Sequence, residues 1–397
     1  MLKLLLMDRR VCLFVIGGTF IALGGAVSSV ALPLFILRVS HNPWLIGVVF
    51  VAREIPSTVL APILGNQIDR MGAYRSTVIG LLLSTFGTGL IPIVKDVPLL
   101  IIVCALILGA GWTLLFSTVS LYLPAIVDEQ NLDIANSAFR TTSIVGGMIG
   151  TALGGALITT ELYSLAFWLD ATTYIIALVT IILIGKVQLY QEEGRTGSDD
   201  DAMSSFRVVW RTLRVDSTLF EMFIIDAAIY FSLGATGVLL PVYVTHEFHG
   251  SWFFSIAVLS QNIGELLGGL VAPWVNRKIH DTWLSFSYAA MTLVMAIAYI
   301  EIGTWVSVLS VLLMSFLASF ALGVLYVLYG TYMQRAVPAS IMGRFQTVAA
   351  GLSSLFQGTG NVMSGGVAST SPTVGYIITG VVNSVASIGV LLYKRRR

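Results

Sequence analysis

The chain has 397 residues, of which 56% are hydrophobic and only 11% charged, whereas a soluble domain carries about 25% charged residues. Its net charge of +1 points to no charged partner, nucleic acid included, so the placement of the charges carries the information. The two cysteines, Cys12 and Cys104, both fall in apolar stretches, which excludes a disulfide framework and a zinc-binding spacing.

Twelve apolar segments are expected to span a bilayer, at roughly 11–37, 44–65, 76–94, 98–123, 134–159, 162–185, 218–245, 252–275, 282–300, 304–332, 345–368 and 373–393. Each has about the 17–25 residues that a spanning helix needs. They lack the alternation over ~10 residues that a membrane β-strand would show. The first run follows Lys3 and Arg9-Arg10 but extends to Leu37, too long for a signal peptide, so it reads as a retained first span. The expected fold is therefore all-α and polytopic, with 12 transmembrane helices.

The second span opens the most informative stretch, from Trp44 to Arg75. At ~1.5 Å per residue, Glu54 lies about 15 Å beyond Trp44, near the bilayer midplane, with Arg53 beside it. A charge at that depth costs several kcal/mol and marks a candidate functional site. Neighbouring helix positions point about 100° apart, so Arg53 is free to reach another acid. A buried structural ion pair is the competing reading. After Gly65 the sequence turns polar, and a short loop is expected through Arg75.

Asp170, in the sixth span, reads as a structural acid hydrogen-bonded to a neighbouring helix. The connection 186–216 includes the polar run Gln191 to Asp201 and ends in SFRVVWRTLR. There Phe206, Val209, Trp210 and Leu213 fall at helical spacing opposite Arg207, Arg211 and Arg214, which predicts a helix lying on the inner leaflet. The expected organisation is a bundle over 1–185, a linker over 186–216 and a bundle over 217–397.

In the seventh span Asp226 has Tyr230 one turn on, on the same face. The eighth holds Gln261, Asn262 and Glu265, and a carboxyl within hydrocarbon is a candidate proton carrier. Trp44 and Trp252 are expected at the membrane interfaces. Trp112, Phe116, Trp168, Phe223, Phe231, Phe286, Tyr326 and Tyr329 are candidates to line a greasy cavity, with ordinary packing as the alternative. His246 and His249 lack a third ligand, so no metal is expected. No phosphate-binding loop or catalytic nucleophile arrangement is evident, so neither a cofactor nor enzymatic activity is expected.

Lysine and arginine gather on one side: Lys3, Arg9, Arg10, Arg70, Arg75, Arg277, Lys278, Arg335, Arg344 and Lys394 to Arg397. That bias places both termini in the cytoplasm and the protein in an inner or plasma membrane. An internal repeat supports two six-helix halves. Ala31-Leu32-Pro33 and Trp44 match Leu239-Leu240-Pro241 and Trp252 at a shift of 208, and Gly154-Gly155 matches Gly365-Gly366 at 211. Under the repeat, Arg53-Glu54 overlay Gln261-Asn262.

Gly65-x-x-x-Asp69-Arg70-x-Gly72-x-x-Arg75 resembles the signature loop of the major facilitator superfamily. The resemblance implies two pseudo-symmetric six-helix bundles and a conformational gate at Gly65, Asp69, Arg70, Gly72 and Arg75, with Asp69 pairing to the other half. Ala73-Tyr74 stand where the family usually has a basic pair. Leu132 to Ala138, and Gln334 to Pro338 with Gly343-Arg344, are similar to stretches of macrolide-efflux and siderophore-exporter relatives in the drug:proton antiporter group. Gly146, Gly150, Gly154 and Gly155 are similar to the antiporter signature of such exporters, although Thr151 replaces its proline and 98–123 holds no basic residue. A plain close-packing face is the competing account of those glycines.

The activity implied is export of an amphipathic or hydrophobic small molecule by alternating access, with protons entering through Glu54 and either Glu265 or Asp226. Expected partners are that substrate, protons and membrane lipids, with the protein a monomer. A lipid or lysolipid flippase, and a non-transporting sensor or scaffold, remain as alternatives.

Overall fold

A computed structural model describes residues 8–59, 61–127, 132–186, 202–248, 251–278 and 283–395; at some positions within its helices, 61–70 among them, only the backbone is described. The described residues form thirteen helices: α1 Arg9–Ser40, α2 Pro43–Val59, α3 Ala61–Leu90, α4 Pro98–Ile126, α5 Leu132–Thr159, α6 Tyr163–Ile184, α7 Ala202–Val215, α8 Ser217–Phe248, α9 Ser251–Lys278, α10 Leu284–Thr304, α11 Val308–Ala336, α12 Ala339–Ala368 and α13 Pro372–Arg395. Among the described residues, nine are long and apolar enough to cross a membrane. The three other long helices are α2, of 17 residues and holding Arg53 and Glu54, α3, whose first half is polar, and α12, rich in Gly, Ser and Asn.

Local chemistry fixes the helix ends. The Asp8 side chain accepts from the amides of Arg10 and Val11 at the start of α1, and His41 ends that helix with φ 51°. Pro98 opens α4, where its missing N–H costs nothing. Ser307 accepts from the Ser310 amide at 3.0 Å to start α11. Asp216 does two jobs at the α7–α8 junction. It accepts from the Leu219 amide at 2.9 Å, and the Tyr332 hydroxyl of α11 donates to the same carboxylate at 3.0 Å.

Two expectations are corrected here. The polar run after Gly65, expected as a short loop, is instead helical on both sides of Gly72. That run folds as the first turns of α3 because it contains no proline and only Gly72 leaves helical geometry, with φ 78° and ψ 157°. Glycine alone adopts that conformation without strain. The second correction concerns α7. Its expected lipid-facing stripe is in part a protein-packing stripe, since Val209 and Leu213 are buried against Leu219, Met333, Val337, Phe345 and Ala349. Trp210 stays partly open, beneath the Arg214 guanidinium at 5.2 Å. Phe206 and the run Gln191 to Asp201 lie outside the described residues or side chains.

The helices cluster into two units, residues 1–41 with 48–198 and residues 42–47 with 199–397. In unit 1, α1 packs on α5 and α6, and α3 on α4 and α6; in unit 2, α8 packs on α12 and α13, and α10 on α11 and α13. The pairings are the same in helix order. The repeat is visible in the elements themselves, because α1 and α8 are both 32 residues long and hold Pro33 and Pro241 at the same position. The unit 1 core runs from Val11, Phe14 and Val15 of α1 to Leu81, Leu115, Tyr122 and Tyr174. Phe14 stacks on Tyr122 with ring centroids 6.1 Å apart.

Close helix contact in unit 1 depends on α5. Gly146, Gly150 and Gly154 lie on the backbone carbonyls of Thr19, Leu23 and Val27 of α1, one turn apart on both helices. Without a hydrophobic drive between helices in lipid, such close approach is a main source of cohesion.

Candidate functional site

A charge in a spanning helix must find a partner, a polar cavity or a proton. In unit 1, three such groups lie near the middle of their helices: Arg53 and Glu54 on α2 and Asp170 on α6. Arg53 and Glu54 are half-buried, and the hydroxyls of Ser57 and Thr58 donate to the Glu54 carbonyl at 2.8 and 3.2 Å. Asp170 is 1% exposed, and Ser28 of α1 donates its hydroxyl to Oδ2. Its Oδ1 has no hydrogen-bond partner among the described residues.

Arg53 links these groups. Its charge acts on Glu54, on Asp170 and on the buried Tyr174. It makes no ion pair within 4.0 Å among the described residues, so its attraction is shared instead of spent on one carboxylate. Gly109 of α4 lies directly on the Arg53 backbone carbonyl and fixes the depth of this turn.

Unit 2 is built differently. Asp226 on α8 is 6% exposed, and the Tyr288 hydroxyl of α10 donates to its Oδ1 at 3.0 Å. Tyr288 lies 6.4 Å from Tyr329 of α11, ring centre to ring centre. Tyr230 lies one turn beyond Asp226, and the Asp226 charge acts on it. Glu265 on α9 is open, and it joins the group through Tyr326 of α11, on which Asp226, Tyr230 and Glu265 all act. Gln261 and Asn262 are half-buried one turn earlier on α9. Asp226 and Tyr230 are therefore brought together with Tyr288 of α10 and Tyr329 of α11, while the exposed Glu265 acts only on Tyr326. Every arginine with a described side chain in unit 2 lies on α7 or at the end of a long helix, so no fixed cation among the described residues offsets this cluster.

The two units share one polar contact in an altered form. Where Ser28 and Asp170 join α1 to α6, Ser232 and Asn383 join α8 to α13, with the Ser232 hydroxyl donating to Asn383 Oδ1 at 3.1 Å. An amide thus serves in unit 2 at a crossing where unit 1 has an acid.

Of the signature stretch, the side chains of Gly65, Asp69 and Arg70 lie outside the described residues; Gly72 marks the bend in α3 and Arg75 is exposed beyond it. Trp44, Trp168, Trp252 and Phe286 are about half exposed, whereas Tyr329 hides its hydroxyl completely. Phe223 packs with the α7 cluster, and the Phe116 side chain is not among those described. His246 contacts Glu247 at 3.0 Å, and His249 lies outside the described residues. Sequence reasoning passed over Tyr288 and Ser28. Tyr288 had a usable signal, as a phenol within an otherwise apolar span, because a buried hydroxyl needs a partner.

Comparison with known proteins gives a consistent result. The family model described as Major Facilitator Superfamily matches residues 14–365. A multidrug efflux pump, Tap, of Mycolicibacterium fortuitum is 22% identical over 372 residues, covering 87% of this chain and 86% of the pump. Among solved structures, a point mutant of the nucleoside transporter NupG superposes with a TM-score of 0.79 at 13% identity, covering 97% of this chain and 99% of that one. A POT family transporter superposes with a TM-score of 0.77 at 15% identity, covering 98% and 96%.

Proposed function

Starting from the fact that the chain belongs to the major facilitator superfamily, we propose that it is a secondary transporter exporting amphipathic or hydrophobic small molecules by proton antiport. Efflux is supported by similarity, over most of both chains, to a protein named a multidrug efflux pump. Proton coupling is supported by one observation above the others. Asp226 is a buried carboxyl in a spanning helix, held by a hydroxyl and offset by no cation among the described residues. A group so placed is costly to keep charged, and a protein that gains nothing from loading and unloading it would be expected to lose it.

In this reading Glu54 is the exchangeable acid of unit 1, Glu265 and Asp226 those of unit 2, and Arg53 sets the local field in unit 1. Gln261, Asn262 and Tyr230 line the substrate path. The bundle over 1–185 rocks against that over 217–397, with 186–216 as the cytoplasmic linker and with Asp69, Arg70 and Arg75 acting at the gate. Both termini are cytoplasmic, and the protein works as a monomer in the cell membrane.

The test is transport of a panel of fluorescent lipophilic dyes in proteoliposomes with an imposed pH gradient. Wild-type protein should move at least one dye only while the gradient lasts. Glu54→Gln and Asp226→Asn should fold normally and lose that movement. Dye movement that persists after the gradient is collapsed would refute antiport and favour a gradient-independent flippase.

A further inference from the structure

Asp170 has one carboxyl oxygen served and the other bare. The residue is 1% exposed within α6; Ser28 of α1 donates to Oδ2, whereas Oδ1 has no hydrogen-bond partner among the described residues. Thr173, one turn on, already has its hydrogen committed, because its hydroxyl donates to the Asp170 backbone carbonyl at 2.7 Å. A hydroxyl that has given its hydrogen away offers only lone pairs to anything else. Gly24 of α1 fixes where those lone pairs lie. A methyl added at Gly24 would collide with Thr173 Oγ1 and stand 2.5 Å from Asp170 Oδ1, so both oxygens close on the same point of α1.

That arrangement suits a carboxylic acid better than a carboxylate. A carboxylate only accepts, so its Oδ1 would face the Thr173 lone pairs in a site closed to the surface, whereas the acid carries an O–H that needs an acceptor there. We propose that Asp170 is a proton-binding residue of unit 1, with its hydrogen on Oδ1 donated to Thr173 Oγ1 and its Oδ2 accepting from Ser28. Thr173 and Ser28 are positioning residues, and Gly24 leaves the room in which they meet the acid.

Loading adds one proton to Asp170 Oδ1. No other covalent bond changes, and the Thr173 hydroxyl keeps its bond to the backbone. Unloading leaves a carboxylate held by Ser28 alone, with a bare oxygen against lone pairs in the joint between α1 and α6. The loaded joint is neutral, and unit 2 shows that a neutral group suits such a joint: Ser232 of α8 donates there to Asn383 Oδ1 of α13 at 3.1 Å.

Among the described side chains, one cation faces the site. Arg53 of α2 acts on Asp170 but makes no ion pair within 4.0 Å among the described residues. On α6 itself the buried Tyr174 lies one turn on. At this level α3 meets α6 through Gly89, where an added methyl would lie 3.5 Å from Ala171, about four turns from Tyr74 and Arg75. Gly150 of α5 lies on the Leu23 carbonyl of α1, about three turns from Arg140. From α1 the charged groups are Arg9, Arg10 and Arg38, all in its end turns. The proposal rests on the proton-coupled reading above only for its bearing on transport, and the proton site itself is testable without any substrate.

The experiment is an infrared pH titration of the purified full chain in lipid nanodiscs, with the proton as the only ligand. A carboxylic C=O band that comes and goes with pH and is lost in Asp170→Asn identifies the site. Thr173→Val removes the acceptor of the acid, so the band's midpoint should move to lower pH by about one unit. Ser28→Ala removes the donor to the charged form, so it should move to higher pH by a similar amount. Thr172→Val, which deletes an exposed hydroxyl bonded to the Trp168 carbonyl of the same helix, should leave it in place. Opposite shifts, with Thr173→Ser close to the wild-type midpoint, support the assignment. A midpoint raised by Thr173→Val overturns it, because Thr173 would then be a donor to the carboxylate. No shift in Thr173→Val, an equal shift in Thr173→Ser, or a band absent or constant across the titration also overturns it. Gradient-independent dye transport alongside opposite shifts would sink antiport alone and leave the proton site standing.

Discussion

Replacing the α5 glycines one at a time separates packing from function at the α1·α5 crossing. At Gly150 an added methyl would collide with the Leu23 carbonyl, and at Gly146 it would lie 2.7 Å from the Thr19 carbonyl. At Gly154 it would come to 3.0 Å from the Val27 carbonyl, while at Gly147 it meets nothing within 4 Å. Backbone cannot swing aside as a side chain does, so Gly150→Ala must push the helices apart, and overpacking of this kind costs about 1–3 kcal/mol. Every Gly→Ala change also gains up to about 1 kcal/mol of helix propensity. Gly147→Ala keeps that gain uncontested, so the two variants should differ by about 1–3 kcal/mol, with Gly146→Ala and Gly154→Ala between them in that order. Thermal melting of purified variants in one detergent would rank them. Equal melting of Gly147→Ala and Gly150→Ala would refute the packing argument. Normal melting of Gly150→Ala with lost transport would move these glycines to a direct part in the transport cycle.

Three further outcomes follow from single contacts. Asp170→Asn should fold and melt like the wild type, since Asn383 serves the same helix pairing in unit 2, whereas Asp170→Leu should lower stability by leaving Ser28 unpaired, by about 1–3 kcal/mol. Gly72→Ala should cost about 1–3 kcal/mol through its φ of 78° and ψ of 157°, and it should reduce yield or melting temperature although nothing crowds the site. Asp216→Ala removes a helix cap and the acceptor of the Tyr332 hydroxyl; a loss of about 1–2 kcal/mol is expected, seen as faster proteolysis at the α7–α8 junction.

The sequence revealed the class and the span positions readily, because hydrocarbon requires about 20 apolar residues in a row and punishes any charge among them. Pro33 and Pro241 stand at the same position in helices of equal length, so their match in the sequence marked a real equivalence. Where the reading failed, the competing signals were local. Gly65 and Gly72 suggested a loop, yet the run between them is helical and the chain breaks helical geometry at the single residue Gly72. Val209 and Leu213 looked like a lipid-facing stripe, because periodicity shows that a face is apolar and not what covers it. The acids could be singled out but their partners could not. Tyr288 lies 62 residues from Asp226 in the chain, and Ser28 142 residues from Asp170.

The close seam between α9 and α11 restricts how unit 2 can deform. Gly264 and Gly268 lie on the carbonyls of Phe316 and Phe320, and Gly323 lies on that of Glu265. Two helices meshed backbone to backbone at three levels have no side-chain cushion to shear, so they translate as a single plank. The backbones that carry Glu265 and Tyr326, one on each helix, then move together. Any gating displacement in unit 2 must therefore fall on the looser joints around the plank.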